Sequence, residues 1–281
     1  MRELDVREVT EAVRSMCITA NYDLPRDVYK ALVEAQEAEE SPVGREVLGQ
    51  LVENADIAAA DRVPICQDTG FAVIFAEVGQ DLHLVGGSFE DAIDEGVRQG
   101  YGDGYLRKSV AEEPAHARRN TKDNTPAILH TTIVPGDKLR LTMMAKGGGA
   151  ENMSSLNMLK PSQGWEGMVK AVVDTVSRAG SNPCPPVIIG VGIGGTIDRV
   201  TLLAKQALLR EVGSKHADPR LAAMEDEMLQ RINALGIGPQ GLGGTTTALA
   251  VFIEEAPSHL ASMPVGVNVQ CHAQRHQTVT I

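Results

Sequence analysis

The chain has 281 residues and a formal net charge of −11, enough length for one large or two small domains with a sizeable core. So acidic a balance excludes the basic face that nucleic-acid binding needs, and an anionic substrate would have to be met by a local positive pocket. Aromatic residues make up 3%, so the core falls to Val, Leu, Ile, Ala and Met, and no stretch approaches the roughly 20 apolar residues of a membrane span.

The N-terminal residues Met1-Arg-Glu-Leu-Asp-Val-Arg-Glu lack the apolar centre of a signal peptide. The expected compartment is the cytoplasm, where Cys17, Cys66, Cys184 and Cys271 stay reduced and a disulfide framework is not expected.

Leu4 to Ala20 carries Leu4, Val6, Val9, Val13, Met16 and Cys17 at three- and four-residue spacings, which predicts an amphipathic helix. Cys17 lies on its apolar stripe and reads as a small buried hydrophobe. Asp27 to Ala38 reads as a second helix. Pro42 to Ala60 reads as a third, with Ser41 as its N-cap. Residues 1–60 are thus a helical N-terminal segment without evident chemistry.

Pro64-Ile-Cys-Gln-Asp-Thr-Gly70 places a thiol, an amide, a carboxylate and a hydroxyl in succession, ahead of the apolar run Phe71-Ala-Val-Ile-Phe-Ala76. Polar groups crowded at the head of a buried strand suggest a site. Ser88 caps a predicted helix from Phe89 to Gln99, and Tyr101 to Ser109 forms a glycine-interrupted loop bearing Arg107 and Lys108. Ile128 to Val134 and Lys138 to Ala145 read as a hairpin around Pro135-Gly136-Asp137. The second strand enters Lys146-Gly-Gly-Gly-Ala-Glu-Asn152, where bare backbone N–H groups have room to face an anion.

Trp165 to Ala179 reads as a helix, and Ser181-Asn-Pro-Cys-Pro-Pro186 presents Cys184 between prolines that fix the backbone. A strand over Val187 to Ile193, a helix from Thr196 to Val212 and helical segments over Leu221 to Leu235 and Thr245 to Ile253 follow. The last two flank the glycine-rich Gly236 to Gly244. A final strand over Val265 to Gln270 delivers Cys271-His-Ala-Gln-Arg-His276. With no internal repeat or linker, the economical reading is one mixed α/β unit over 1–281: a helical N-terminal segment, then a sheet-containing catalytic unit with its chemistry on strand-end loops.

Cys66, Cys184 and Cys271 share a setting, each beside a buried strand in a loop rich in Pro, Gly or polar groups. They are too far apart for a local zinc knuckle or ferredoxin-type run. Three unrelated thiols are one reading; three ligands of a cluster or metal with an open position are another. His272 and His276, four apart, could join such thiolates in a zinc site, while Arg275 between them suits an anion. Gly190-Val-Gly-Ile-Gly-Gly195 mimics a dinucleotide fingerprint, but no second strand ending in an acidic residue follows, which favours a tightly packed turn. Arg107 is either a solvated surface cation or a bidentate clamp on a carboxylate. Asp68 is a turn residue, a base or the orienter of one.

Taken together, Pro64-Ile-Cys-Gln-Asp-Thr-Gly70, Leu106-Arg-Lys-Ser109, Asn120-Thr-Lys-Asp-Asn-Thr-Pro126, Lys146-Gly-Gly-Gly-Ala-Glu-Asn152, Asn182-Pro-Cys-Pro-Pro186 and Cys271-His-Ala-Gln-Arg-His276 resemble the alpha subunit, or N-terminal domain, of class I iron–sulfur fumarases and the similar L-tartrate dehydratases. The resemblance covers nearly the whole chain. It implies a [4Fe–4S] cluster held by Cys66, Cys184 and Cys271, with Gln67 and Asp68 beside the substrate, Arg107 on a carboxylate and the backbone of Gly148 and Gly149 at the site. A family histidine ahead of the third cysteine is matched to His259 by position alone. The general base and further cationic contacts of single-chain relatives lie in a C-terminal domain. Because this chain stops at Ile281, the resemblance implies a separately encoded beta subunit in an α2β2 heterotetramer. The expected reaction is dehydration of a 2-hydroxy-dicarboxylate: malate to fumarate, a tricarboxylic acid cycle step, with L-tartrate as the alternative. A structural zinc protein is the rival from another class, and a nicotinamide-dependent oxidoreductase is the third.

Overall fold

A computed structural model of the chain describes residues 2–281. In chain order its elements are β1 (Arg2–Asp5), α1 (Val6–Tyr22), α2 (Arg26–Ala38), α3 (Pro42–Asp61), β2 (Phe71–Gly79), β3 (Leu82–Val85), α4 (Phe89–Asp103), β4 (Ile128–Val134) and β5 (Leu139–Lys146). Then come α5 (Gly148–Glu151), β6 (Ser155–Leu159), α6 (Gly164–Ala179), β7 (Val187–Gly194), α7 (Ile197–Ala207), α8 (Pro219–Asn233), β8 (Ala248–Ala256), β9 (Met263–Gln270) and β10 (Arg275–Thr280). The fold is mixed α/β, as expected. Among the described residues no helix is long and apolar enough to cross a membrane.

By internal contacts the chain divides into two compact units, one of residues 1–25, 54–148 and 275–281, the other of 26–53 and 149–274. The helices of the first sixty residues are therefore shared out between units, and α3 spans the division.

In the first unit a four-stranded sheet runs β10-β5-β2-β4, and β1 pairs with β3 apart from it. Strand β2 is parallel to β4 and antiparallel to β5. The predicted hairpin of β4 and β5 is thus corrected: both strands exist, but β2 lies between them. Period-two alternation turns Ala72, Ile74, Ala76 and Val78 of β2, and Leu139, Leu141, Met143 and Ala145 of β5, into one core with α1 and α4. Asp5 caps α1 by accepting from Arg7 N–H, and Ser88 caps α4 by accepting from Asp91 N–H. The two helices meet closely. A Cβ at Gly96 would stand 2.7 Å from the Thr10 carbonyl oxygen, and one at Gly100 2.7 Å from Cys17 Cβ.

In the second unit the sheet runs β6-β9-β7-β8. Val187, Ile189, Val191 and Ile193 of β7 join Val265, Val267 and Val269 of β9 in a core with Val169, Val172 and Val176 of α6 and Leu221, Met228 and Ile232 of α8. The opposite face carries Gly190, Gly192 and Gly266, on which the backbone of α7 rests. A Cβ at Gly190 would lie 2.0 Å from Ala204 O, and one at Gly192 2.1 Å from Val200 O. The Gly190–Gly195 motif is thus a helix-packing device. The expectation that no strand ending in an acidic residue follows is corrected: β8 pairs in parallel with β7 and carries Glu254 and Glu255 near its end. The stretch Thr245 to Ile253, read as a helix, is mostly β8, parallel to β7; its short apolar run carries no period that separates the two.

Between α2 and α3, Glu39 is fully buried. Its carboxylate accepts from the backbone N–H of Ser41 at 2.9 Å, of Thr245 at 2.8 Å and of Thr246 at 2.8 Å. Burial alone would push its pKa up, but these donors outweigh it and hold the carboxyl at about 2, down from 4.5.

Candidate active site

The loop ahead of β2 is fixed from several directions within its own unit. Ile65 N–H donates to Asn21 O at 2.9 Å and Asn54 Nδ2 donates to Ile65 O at 2.8 Å. Tyr101, fully buried on α4, donates its hydroxyl to Thr69 O at 2.8 Å and Gly70 O at 3.0 Å. Burial raises the Tyr101 pKa well above its ordinary value, so the donor stays protonated. Asn124 Nδ2 also reaches Gly70 O, at 3.1 Å. Gly70 has φ +68°, and a Cβ there would stand 2.5 Å from the Lys146 carbonyl carbon, so only glycine lets this loop lie against the end of β5.

Within that frame Asp68 N–H points at Cys66 Sγ, 3.4 Å away, and the Gln67 side chain, exposed, lies 3.5 Å from the same sulfur. The Asp68 carboxylate closes two turns at once: Oδ1 accepts Gly70 N–H and Oδ2 accepts Gly148 N–H, each at 2.9 Å. The expected group of Cys66, Gln67, Asp68 and Gly148 is thus brought together, with the Gly148 N–H spent on Asp68. Arg107 is exposed, and its carbonyl accepts from Thr69 Oγ1 at 3.0 Å, which ties its loop to the same turn. Arg275, read as an anion binder, is buried instead and donates to Asn21 Oδ1 at 3.1 Å and Asp68 O at 3.0 Å. It supports the loop from below.

The other two cysteines belong to the second unit, as does Gly149. Cys184 is exposed and left-handed at φ +56°. Its carbonyl oxygen lies 3.0 Å from His272 Nδ1 and 3.4 Å from His272 N, so the loops of Cys184 and Cys271 are joined. A Cβ on Gly149 would stand 3.5 Å from Asn182 O, which sets the glycine turn beside the Cys184 loop. His259 is exposed and accepts Ala261 N–H at its own Nδ1, 3.1 Å away, within a surface turn.

Among the described residues no disulfide forms, and no set of three or more His, Cys, Asp or Glu is gathered as a metal site. Cys66 stands in one unit, Cys184 and Cys271 in the other. The donor chemistry nevertheless separates these three from the fourth. Cys17 is fully buried and its thiol is pushed up to about 12 by that burial. The other three sit on loops at strand ends with access to solvent. Cysteine sulfurs of this kind suit soft metals and iron–sulfur clusters.

Sequence reasoning missed Tyr101 and Asn124, which act on the loop from far along the chain, and Gln240, which binds Pro185 O through both its backbone N–H (2.7 Å) and Nε2 (2.8 Å). The only available signal for Gln240 was a lone amide in a run of glycines.

The profile of the family described as fumarate hydratase (Fumerase) matches residues 10–280. A Methanocaldococcus jannaschii protein named "Putative L(+)-tartrate dehydratase subunit alpha" is 41% identical over 95% of each chain. Proteins named L(+)-tartrate dehydratase subunit alpha from Escherichia coli and Shigella boydii are each 31% identical over 98% of this chain and 91% of theirs. The chain belongs to the fumarate hydratase (Fumerase) family of hydro-lyases, and within it to the alpha subunits.

Proposed function

We propose that this chain is the alpha subunit of a cytoplasmic, two-subunit hydro-lyase that dehydrates a 2-hydroxy-dicarboxylate, its two compact units acting as one catalytic domain. The observation that carries the reading is the tie through Asp68 between the Cys66 loop and the Lys146–Asn152 glycine turn, in a chain matched by the family from residue 10 to 280. The names of the relatives favour L-tartrate over the malate that the sequence alone put first; the family's own description keeps malate and fumarate as the second reading.

A [4Fe–4S] cluster held by Cys66, Cys184 and Cys271 supplies, when bound, a Lewis acid that makes the substrate hydroxyl a better leaving group. Arg107, exposed at the end of a loop fastened to Thr69, clamps a substrate carboxylate with its guanidinium fork. Charge that builds on that carboxylate as the adjacent carbon loses its proton is thereby stabilised. Asp68, rigidly held, moves a proton beside the departing hydroxyl, and Gln67 and the backbone at Gly149 orient the substrate. The base for the carbon-bound proton comes from a beta subunit, in an α2β2 assembly; relatives carrying "subunit alpha" in their names support a partner.

The test is anaerobic co-expression with a beta-type chain from the same source, followed by iron, sulfide and zinc analysis and assays on L-tartrate, malate and fumarate. Iron with sulfide and turnover of one of these acids only by the pair is the expected result. Stoichiometric zinc without sulfide, or full turnover by the isolated chain, would overturn it.

A further inference from the structure

We infer that Gln240 and His272 form a clamp that fixes the Cys184 and Cys271 loops against each other before any metal arrives, and so are positioning residues for two of the proposed ligands. Only the identity of what those thiols hold rests on the function proposed above. The clamp itself is built from hydrogen bonds inside the second unit.

The Cys184 loop closes on itself through Cys184 N–H to Ser181 O at 3.0 Å, and it has few further donors. Pro183, Pro185 and Pro186 carry no N–H, so the loop offers mainly carbonyls. Two successive carbonyls are gripped from outside. That of Cys184 faces His272 N at 3.4 Å and His272 Nδ1 at 3.0 Å. A carbonyl can only accept, so the imidazole proton sits on Nδ1 in this contact. That of Pro185 accepts from Gln240 N at 2.7 Å and Nε2 at 2.8 Å. The same Nε2 lies 3.2 Å from His272 Nδ1. With the proton on Nδ1 both atoms are donors, so this approach is packing, and the two grips are linked through the Cys184–Pro185 backbone whose successive carbonyls they hold. His272 directly follows Cys271, so whatever fixes it fixes that thiol's backbone.

The strain at position 240 points the same way. Gln240 is left-handed at φ +51°, in a run where Gly238, Gly241, Gly243 and Gly244 also have positive φ. A glycine would adopt that backbone freely, so the side chain at this position is accounted for by the amide it delivers to the Cys184 loop. The neighbouring backbone is equally close: a Cβ at Gly241 would stand 2.3 Å from Ser181 Cβ.

Gln240→Gly keeps the backbone bond and removes only the amide. His272→Ala removes the ring, whereas His272→Asn can restore a donor where Nδ1–H stood. Hydrogen–deuterium exchange of the full, metal-free chain should show the Cys184 and His272 amides opening roughly three- to tenfold faster in Gln240→Gly and His272→Ala, with the Cys66 loop unchanged and His272→Asn near wild type. After anaerobic reconstitution, iron should be lost to a chelator faster in the same two variants, again with rescue by His272→Asn. Unchanged exchange, acceleration that spreads to the Cys66 loop, no rescue, or iron loss at the wild-type rate would each overturn the clamp. A wild-type chain that takes up no iron and sulfide would instead sink the function proposed above, while exchange on the metal-free chain still judges the clamp.

Discussion

One carboxylate joins two stretches eighty positions apart: Asp68 Oδ2 accepts the backbone N–H of Gly148 at 2.9 Å, while Oδ1 closes the turn at Gly70. Asp68→Asn would set an amide N–H₂ against one of those backbone donors. A loss of about 1–3 kcal/mol in stability is expected, from a donor left without its acceptor, measured by denaturant unfolding. Turnover by the two-subunit enzyme should fall by about 100-fold or more if Asp68 also moves a proton. A variant with wild-type stability would show that the tie is dispensable.

Glu39 predicts an acid-sensitive fold. Its folded pKa of about 2 lies below its ordinary 4.5, so its contribution is fully present above about pH 4.5 and is lost as pH falls toward 2. A shift of that size corresponds to about 3 kcal/mol. Glu39→Gln should therefore destabilise the chain at neutral pH and flatten the acid limb of its unfolding curve. Identical acid limbs for variant and parent would argue against it.

Gly96 and Gly100 let α4 lie against α1. Gly96→Ala would press a methyl to within 2.7 Å of the Thr10 carbonyl and of Val13 Cβ, and Gly100→Ala to within 2.7 Å of Cys17 Cβ. Each should cost about 1–3 kcal/mol by overpacking, although alanine is the better helix former. Calorimetric melting of the single variants decides between propensity and space.

The four thiols should divide three to one. Alkylation of the folded, metal-free chain at neutral pH, followed by peptide mapping, should label Cys66, Cys184 and Cys271 and spare Cys17, whose thiol is fully buried and held near pKa 12. Labelling of Cys17 at the rate of the other three in undenatured protein would contradict this burial.

Much of this was legible in the sequence, for local reasons. The stripe of α1, the Ser88 cap and the continuous apolar runs of β2 and β7 announce themselves over a few residues. The cysteine loops stand out because proline, glycine and polar groups interrupt strands. Pairing was not legible: nothing in β4 or β5 says that β2 lies between them. Strand β10, Arg275–Thr280, went unread because it sits at a sheet edge and carries mostly polar residues. Tyr101, Asn124, Arg275 and Gln240 support the loops through contacts far along the chain, and no short-range pattern marks such residues.

The glycines of β7 have one more consequence. Gly190 and Gly192 look like vacancies reserved for a pyrophosphate, yet the places a Cβ would take are already pressed by the carbonyls of Ala204 and Val200. The tenant of this cradle is the protein's own helix. A nucleotide would have to evict α7, and with it Val200, Leu203, Ala204 and Ala207, all of them buried. What reads as an invitation to a cofactor is a sealed seam.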